Sequence, residues 1–211
     1  MEDNNFVVIA VALETGGAAT ATEWIQKANP TYPCLIDEHH TVAKLYGMIN
    51  VPTAVWIDEM GRVVRPSEPA GASIPERDPK TGQVSDEARE RSQARKTYYF
   101  QAVRDWAHKG DSSVHSLSAS EAQQRVVTPV GENPLAAANF SMAVYLHQQG
   151  FQEDAKGYFH EAARLEPMRW NYRRQIWNLI PDLDARGEFR DALKDWGDDP
   201  YIAPIIMDGI P

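Results

Sequence analysis

Cys34 is the only thiol in the 211 residues, so this chain by itself cannot run a dithiol–disulfide cycle. A single-cysteine peroxidase is the remaining thiol chemistry, and it needs a neighbouring base or arginine that lowers the thiol pKa. The apolar, extended segment Tyr32-Pro33-Cys34-Leu35-Ile36 suits a packing cysteine better, because free cysteine is among the most buried residue types. His39 and His40 are adjacent at a predicted helix start and project about 100° apart on a helix. A metal site wants converging ligands, such as an i, i+4 histidine pair. The two histidines therefore read as surface capping residues, and neither a metal nor a cofactor is expected. Asp58-Glu59 falls in a turn, which needs polar residues anyway. Arg173-Arg174, set between aromatic residues, has the chemistry to grip a carboxylate or phosphate bidentately. In a chain of net charge −9, an internal ion pair is the better reading of that pair. No glycine-rich phosphate loop and no G-x-S-x-G occurs in the sequence.

The elements that carry these residues can be placed by pattern. Phe6–Leu13 is an uninterrupted apolar run that predicts a buried strand. Thr20 and Glu23 have the spacing of a capping box ahead of a helix around Trp24–Ala28, stopped by Pro30. Tyr32–Asp37 is short and extended, and Asp37 can cap a helix through His40–Tyr46. Gly47 fits that helix's C-terminal cap. Val51, preceding Pro52, is pushed towards extended geometry. Thr53–Ile57 predicts a strand, Asp58–Gly61 a turn, and Arg62–Val64 the start of an antiparallel return. The proline-rich stretch Pro66–Ser85 predicts a loop or linker.

Further on, Asp86–Lys109 predicts a long amphipathic helix with Ala94, Tyr98, Ala102 and Trp106 on one face, closed by Gly110. Ser118 and Glu121 have the spacing of a second capping box. From Pro134 the pattern turns to helical hairpins. Leu135, Met142 and Leu146 line one helix, and Phe151, Ala155, Phe159, Ala162 and Leu165 line the next. Met168–Ile180 predicts a third helix, packing through Trp170, Ile176, Trp177 and Ile180. Phe189–Trp196 predicts a last short helix before an irregular tail.

Two of these stretches resemble known families. Tyr46, Gly47, Val51, Pro52, Thr53, Ile57, Asp58, Gly61 and Val63 match the "YG-x-x-x-VPT … ID-x-x-G-x-V" segment of thioredoxin-like redoxins related to ResA and TlpA. Tyr32–Asp37 is similar to the "FPVL-x-D" element of the same families, with Cys34 in place of an aliphatic residue. The resemblance covers about the first third of the chain. It implies a cis bond at Val51–Pro52, and it implies that Val51, Pro52 and Thr53 form the rim of a site for an extended substrate peptide. It also implies a strand leading into a W-C-x-x-C segment, which this sequence lacks. In the family's sheet that strand lies beside those matching Phe6–Leu13 and Thr53–Ile57. Those two strands are therefore expected to show unpaired edges or to pair with each other. The expectation is a truncated product, a swapped or borrowed strand, or a rearranged sheet. The Pro134–Pro167 hairpin resembles a single tetratricopeptide unit, with Ala143, Leu146, Ala155, Phe159, Ala162 and Pro167 at the family's offsets.

The expected fold is α/β: an incomplete thioredoxin-like domain over residues 1–110, then an α-helical, tetratricopeptide-like region over 111–211. Its hairpin spans 134–167 and is expected to dock onto the first domain. With 21 basic against 30 acidic residues, binding to nucleic acid or an anionic membrane surface is disfavoured. No run approaches the roughly 18 apolar residues of a membrane span. The acidic start Met1-Glu2-Asp3 is unlike a signal peptide, which makes a cytoplasmic chain the expectation. Three functions follow. The first is thiol–disulfide oxidoreductase ancestry in a chain that is catalytically incomplete without a C-x-x-C pair. The second is a non-catalytic module that binds a protein or peptide partner through the Pro52 rim and the helical hairpin. The third is a single-cysteine peroxidase acting through Cys34. Self-association through unpaired strand edges accompanies the first two.

Overall fold

Strand β1 (Ala10–Ala12) pairs parallel with β2 (Cys34–Ile36), and β3 (Thr53–Ile57) pairs antiparallel with β4 (Val63–Pro69). The two pairs form separate two-stranded sheets. Seven α-helices lie among the described residues: α1 (Ala18–Ala28), α2 (Thr41–Leu45), α3 (Asp86–Lys109), α4 (Ala119–Arg125), α5 (Pro134–Gln148), α6 (Gln152–Leu165) and α7 (Trp170–Leu179). The computed structural model describes residues 6–71, 75–76, 78, 83–126, 133–180, 184, 187–189, 191–192 and 205–211. The chain is mixed α/β, and it divides into two discontinuous units. One comprises 1–6, 52–126 and 199–211; the other comprises 7–51 and 127–198.

The first unit is built on the β3–β4 hairpin. Its turn is held by Asp58, whose carboxylate accepts from the Met60 and Arg62 N–H groups and from Arg62 Nε. Gly61, at φ 77°, supplies the left-handed residue that this turn needs. Helix α3 packs on the hairpin through Trp56, Val64, Tyr99 and Ala102, and Met207 joins the same cluster. The Trp56 indole N–H donates to the Tyr99 hydroxyl at 3.0 Å, and Trp56 stacks on Trp106 at 5.1 Å. The buried face of α3 is Ala88, Tyr99 and Ala102; Ala94 is exposed. The expected face holds at Tyr98, Ala102 and Trp106, which pack into this cluster, while Ala94 does not and Tyr99 joins through its bond to Trp56. Arg65 is 2% exposed and forms a fork with Glu68 through Nε and Nη2, both at 2.8 Å. Its remaining donors reach the His115 and Ile206 carbonyls.

The second unit buries its core between helices. Ala136, Phe140, Ala143, Ala155, Phe159, Ala162, Tyr172 and Ile176 form one cluster. Fully buried alanines let α5 and α6 approach closely, and Gly150, at φ 85°, turns the chain between them. Leu135, Met142 and Phe151, expected to line this hairpin, are exposed; Ala136, Phe140 and Val144 take their places. The Thr20–Glu23 capping box is also corrected. Helix α1 starts earlier, at Ala18, with Gly17 as a cap lacking any side-chain hydrogen bond. The expected strand Phe6–Leu13 contracts to Ala10–Ala12, while Val7, Val8 and Ile9 are exposed. The predicted helix Phe189–Trp196 falls largely outside the described residues.

Local chemistry read from the sequence holds at several places. Asp37 accepts from the Thr41, Val42 and Ala43 N–H groups at 2.7–3.2 Å and caps α2. Gly47, at φ 62°, ends it, with Met48 N–H reaching back to the Ala43 carbonyl. Ser118 and Glu121 form the reciprocal capping box of α4. No described helix is long and apolar enough to cross a membrane.

Candidate functional site

The residues singled out by resemblance stand at the end of one unit and the start of the other: Val51 belongs to the second, Pro52 and Thr53 to the first. Each already has backbone partners. The Val51 N–H donates to the Asn50 side-chain oxygen at 2.9 Å, and the Pro52 carbonyl accepts the Ala70 N–H at 3.2 Å. Thr53 opens β3 in register with Pro69. Two of the backbone groups that an extended peptide would use are thus taken by the chain's own loop and strand.

Cys34 opens β2 in register with Ala10 and is half-buried. Its sulfur lies 3.8 Å from the Tyr32 carbonyl oxygen, a weak local contact. Arg173 lies over the Trp170 ring at 5.6 Å.

The second unit holds a polar cluster that the sequence reading missed. His40 is 6% exposed and not a surface cap. Its backbone sits in the left-handed region at φ 57°, where residues other than glycine are uncommon. Its Nε2 lies 3.0 Å from the Thr15 hydroxyl, and its ring meets Phe140 edge-on at 4.8 Å. Gln175 of α7 braces this contact: its Nε2 donates to the Leu13 carbonyl and its Oε1 accepts the Thr15 N–H, both at 3.3 Å. Burial pulls the His40 pKa from 6.5 down to about 4, against the opposing pull of Asp37 and Gln175 and with a small contribution from His39. The ring is therefore neutral at physiological pH.

Asn171, 2% exposed, ties α7 to the segment after α2. Its side-chain amide donates to the Met48 carbonyl and its N–H to the Ile49 carbonyl. Among the described residues, His40 Nδ1 and Asn171 Oδ1 have no hydrogen-bond partner. Orphaning a buried polar atom typically costs about 1–3 kcal/mol. Both side chains line a cavity of about 40 Å³ walled by Phe140 and Tyr172, whose rings stack at 4.1 Å. The only sequence signal at this place was the His39-His40 pair. The burial comes from α5 and α7, about a hundred residues or more away in sequence.

No family model matches the chain, and neither a curated protein nor a solved structure does. The functional reading therefore rests on the residues and their geometry.

Proposed function

We propose that this chain is a thioredoxin-like protein of thiol–disulfide oxidoreductase ancestry that serves, with its one cysteine, as an interaction module and not as a turnover enzyme. The observation that carries the reading is the free edge of β1. The Ala10 N–H donates to the Pro33 carbonyl at 3.0 Å and the Ala12 carbonyl accepts the Asp37 N–H at 2.8 Å. Those two residues turn their peptide groups towards β2, so the Val11 groups between them face the other way. Among the described residues no strand pairs there. Val7, Ile9, Val11 and Leu35 leave apolar side chains exposed around that edge. A two-stranded sheet is at best marginal alone, and an uncharged strand edge is a template for another strand. The element order also supports the reading, since the redoxin sheet carries a further strand beside the one matching β1.

The occupant proposed is the β1 strand of a second copy, paired antiparallel about Ile9. Residues 6–13 carry no charge or proline. Pairing about Ile9 sets Val7 against Val11 and Val8 against Ala10, so every facing pair is apolar. Two measurements test the reading. In sedimentation the chain should form a dimer that Val11→Pro converts to monomer, because proline removes only the outward N–H. In an insulin-reduction assay it should be inactive. A monomer at every concentration would overturn the self-pairing, and turnover that Cys34→Ser abolishes would overturn the non-catalytic assignment.

A further inference from the structure

In the first unit, residues 205–211 sit on the rest of the fold as a peptide ligand sits on a receptor. Four side chains from three elements aim donors at main-chain oxygens of this one segment. Arg65 of β4 and Arg125 of α4 both reach the Ile206 carbonyl, at 2.8 and 2.9 Å. Tyr98 of α3 donates to the Asp208 carbonyl, and Arg95 of the same helix donates through Nε to the Pro211 carbonyl at 2.7 Å. The segment belongs to no helix or strand. Among the described residues, its bond from main chain to main chain is internal, from the Ile210 N–H to the Met207 carbonyl. Its hold therefore rests on side chains that grip carbonyls, a group every residue carries, and on apolar packing. Met207, in the cluster of Trp56 and Tyr99, is the buried anchor, whereas Ile206, Asp208, Gly209 and Pro211 are exposed.

Two features restrict what such a groove accepts. Gly209 sits at φ 78°, and a Cβ there would stand 2.7 Å from the Tyr98 oxygen. Backbone strain and the groove wall both select glycine at this place. Charge is the second feature. Glu68 meets the Arg65 charge, whereas Arg95 and Arg125 donate to carbonyls and to no carboxylate among the described residues. In a chain of net charge −9, two such guanidinium groups on one groove favour an acidic segment, as Asp208 makes this one. We propose that the groove formed by β4, α3 and α4 binds a partner protein's segment of the form aliphatic-x-Met-Asp-Gly-aliphatic, which takes the place of residues 205–211. The exchange unpairs no strand and unwinds no helix, because the displaced segment is part of neither.

The test uses the full chain and a fluorescein-labelled peptide, Ile-Ile-Met-Asp-Gly-Ile-Pro, followed by fluorescence anisotropy. Gly209→Ala loosens the chain's own segment and leaves the groove walls untouched. It should bind the peptide about tenfold more tightly than the parent chain, the factor that a left-handed residue other than glycine forfeits. Adding Arg125→Ala to that variant should remove most of the gain, since a charged donor to the peptide is lost. A peptide with alanine in place of its glycine should not compete, and salt should weaken binding. Equal binding by parent and Gly209→Ala, or none by either, would overturn the proposal. So would loss of the folded circular-dichroism spectrum in Gly209→Ala, which would make the segment a fixed part of the core. A parent chain that excludes the peptide only at high protein concentration would assign the groove to the tail of a second copy, and would also overturn it. Neither Val11 nor Cys34 enters these readouts, so this proposal and the strand-edge reading fail separately.

Discussion

The two sheets of this chain have the same number of strands and very different surroundings. The β3–β4 hairpin is sealed by α3 and the 205–210 segment, with Trp56, Val64 and Tyr99 each at most 4% exposed. The β1–β2 pair leaves Val11 and Leu35 exposed, and its outer edge accepts no strand among the described residues. The buried polar groups divide along the same line. Arg65 directs its donors onto a carboxylate and two carbonyls, a closed network that fixes the hairpin. His40 and Asn171, in the other unit, each keep a buried polar atom unmet among the described residues. A satisfied network stabilises its hairpin, whereas each unmet buried group carries a cost that the surrounding packing must offset.

Breaking the closed network should have the largest effect. Arg65→Leu strands Glu68, whose side chain is 12% exposed, and two carbonyls. A loss of about 3–5 kcal/mol is expected for a buried pair with one partner removed, and urea unfolding followed by tryptophan fluorescence measures it. An unchanged midpoint would mean that the fork is incidental. Phe159→Ala, at the centre of the α5–α6–α7 core and 1% exposed, should cost about the same or slightly less. The two variants should lower different transitions if the units unfold separately.

Acid sharpens the contrast. The folded His40 pKa is about 4 against an ordinary 6.5, so as pH falls the unfolded chain takes the proton first. The contribution is fully present above pH 6.5 and is lost between 6.5 and 4. It amounts to about 3 kcal/mol from the width of that window. Circular-dichroism melts at either end of the window should show the loss. A flat profile would remove His40 from the account. Ser118→Ala should cost only about 1 kcal/mol, the value of one helix cap, because α4 keeps its other contacts.

What could be read from the sequence follows how local each feature is. Asp37 capping α2, Gly47 ending it and the Ser118–Glu121 box are settled within six residues, so residue type and spacing were enough. The extent of α3 was readable for the same reason, since Asp86 and Gly110 mark its ends in the chain itself. That Tyr99 joins the expected Tyr98, Ala102 and Trp106 on the buried face was not, because Trp56 selects Tyr99 from a strand 43 residues earlier. His40 shows the limit most plainly. Its neighbours Thr15, Phe140 and Gln175 come from three separate parts of the chain, and only their convergence buries it. A histidine pair at a helix start carries no trace of that. The single cysteine, by contrast, constrained the chemistry at once, because a count needs no geometry.

The most direct test of the interaction reading is analytical ultracentrifugation of the chain beside Val11→Pro, with circular dichroism of both. The account predicts a dimer for the parent chain, a monomer for the variant and superimposable spectra, because Val11 turns its N–H away from β2. A parent chain that stays monomeric across the concentration range, or a variant that still dimerises, would contradict it.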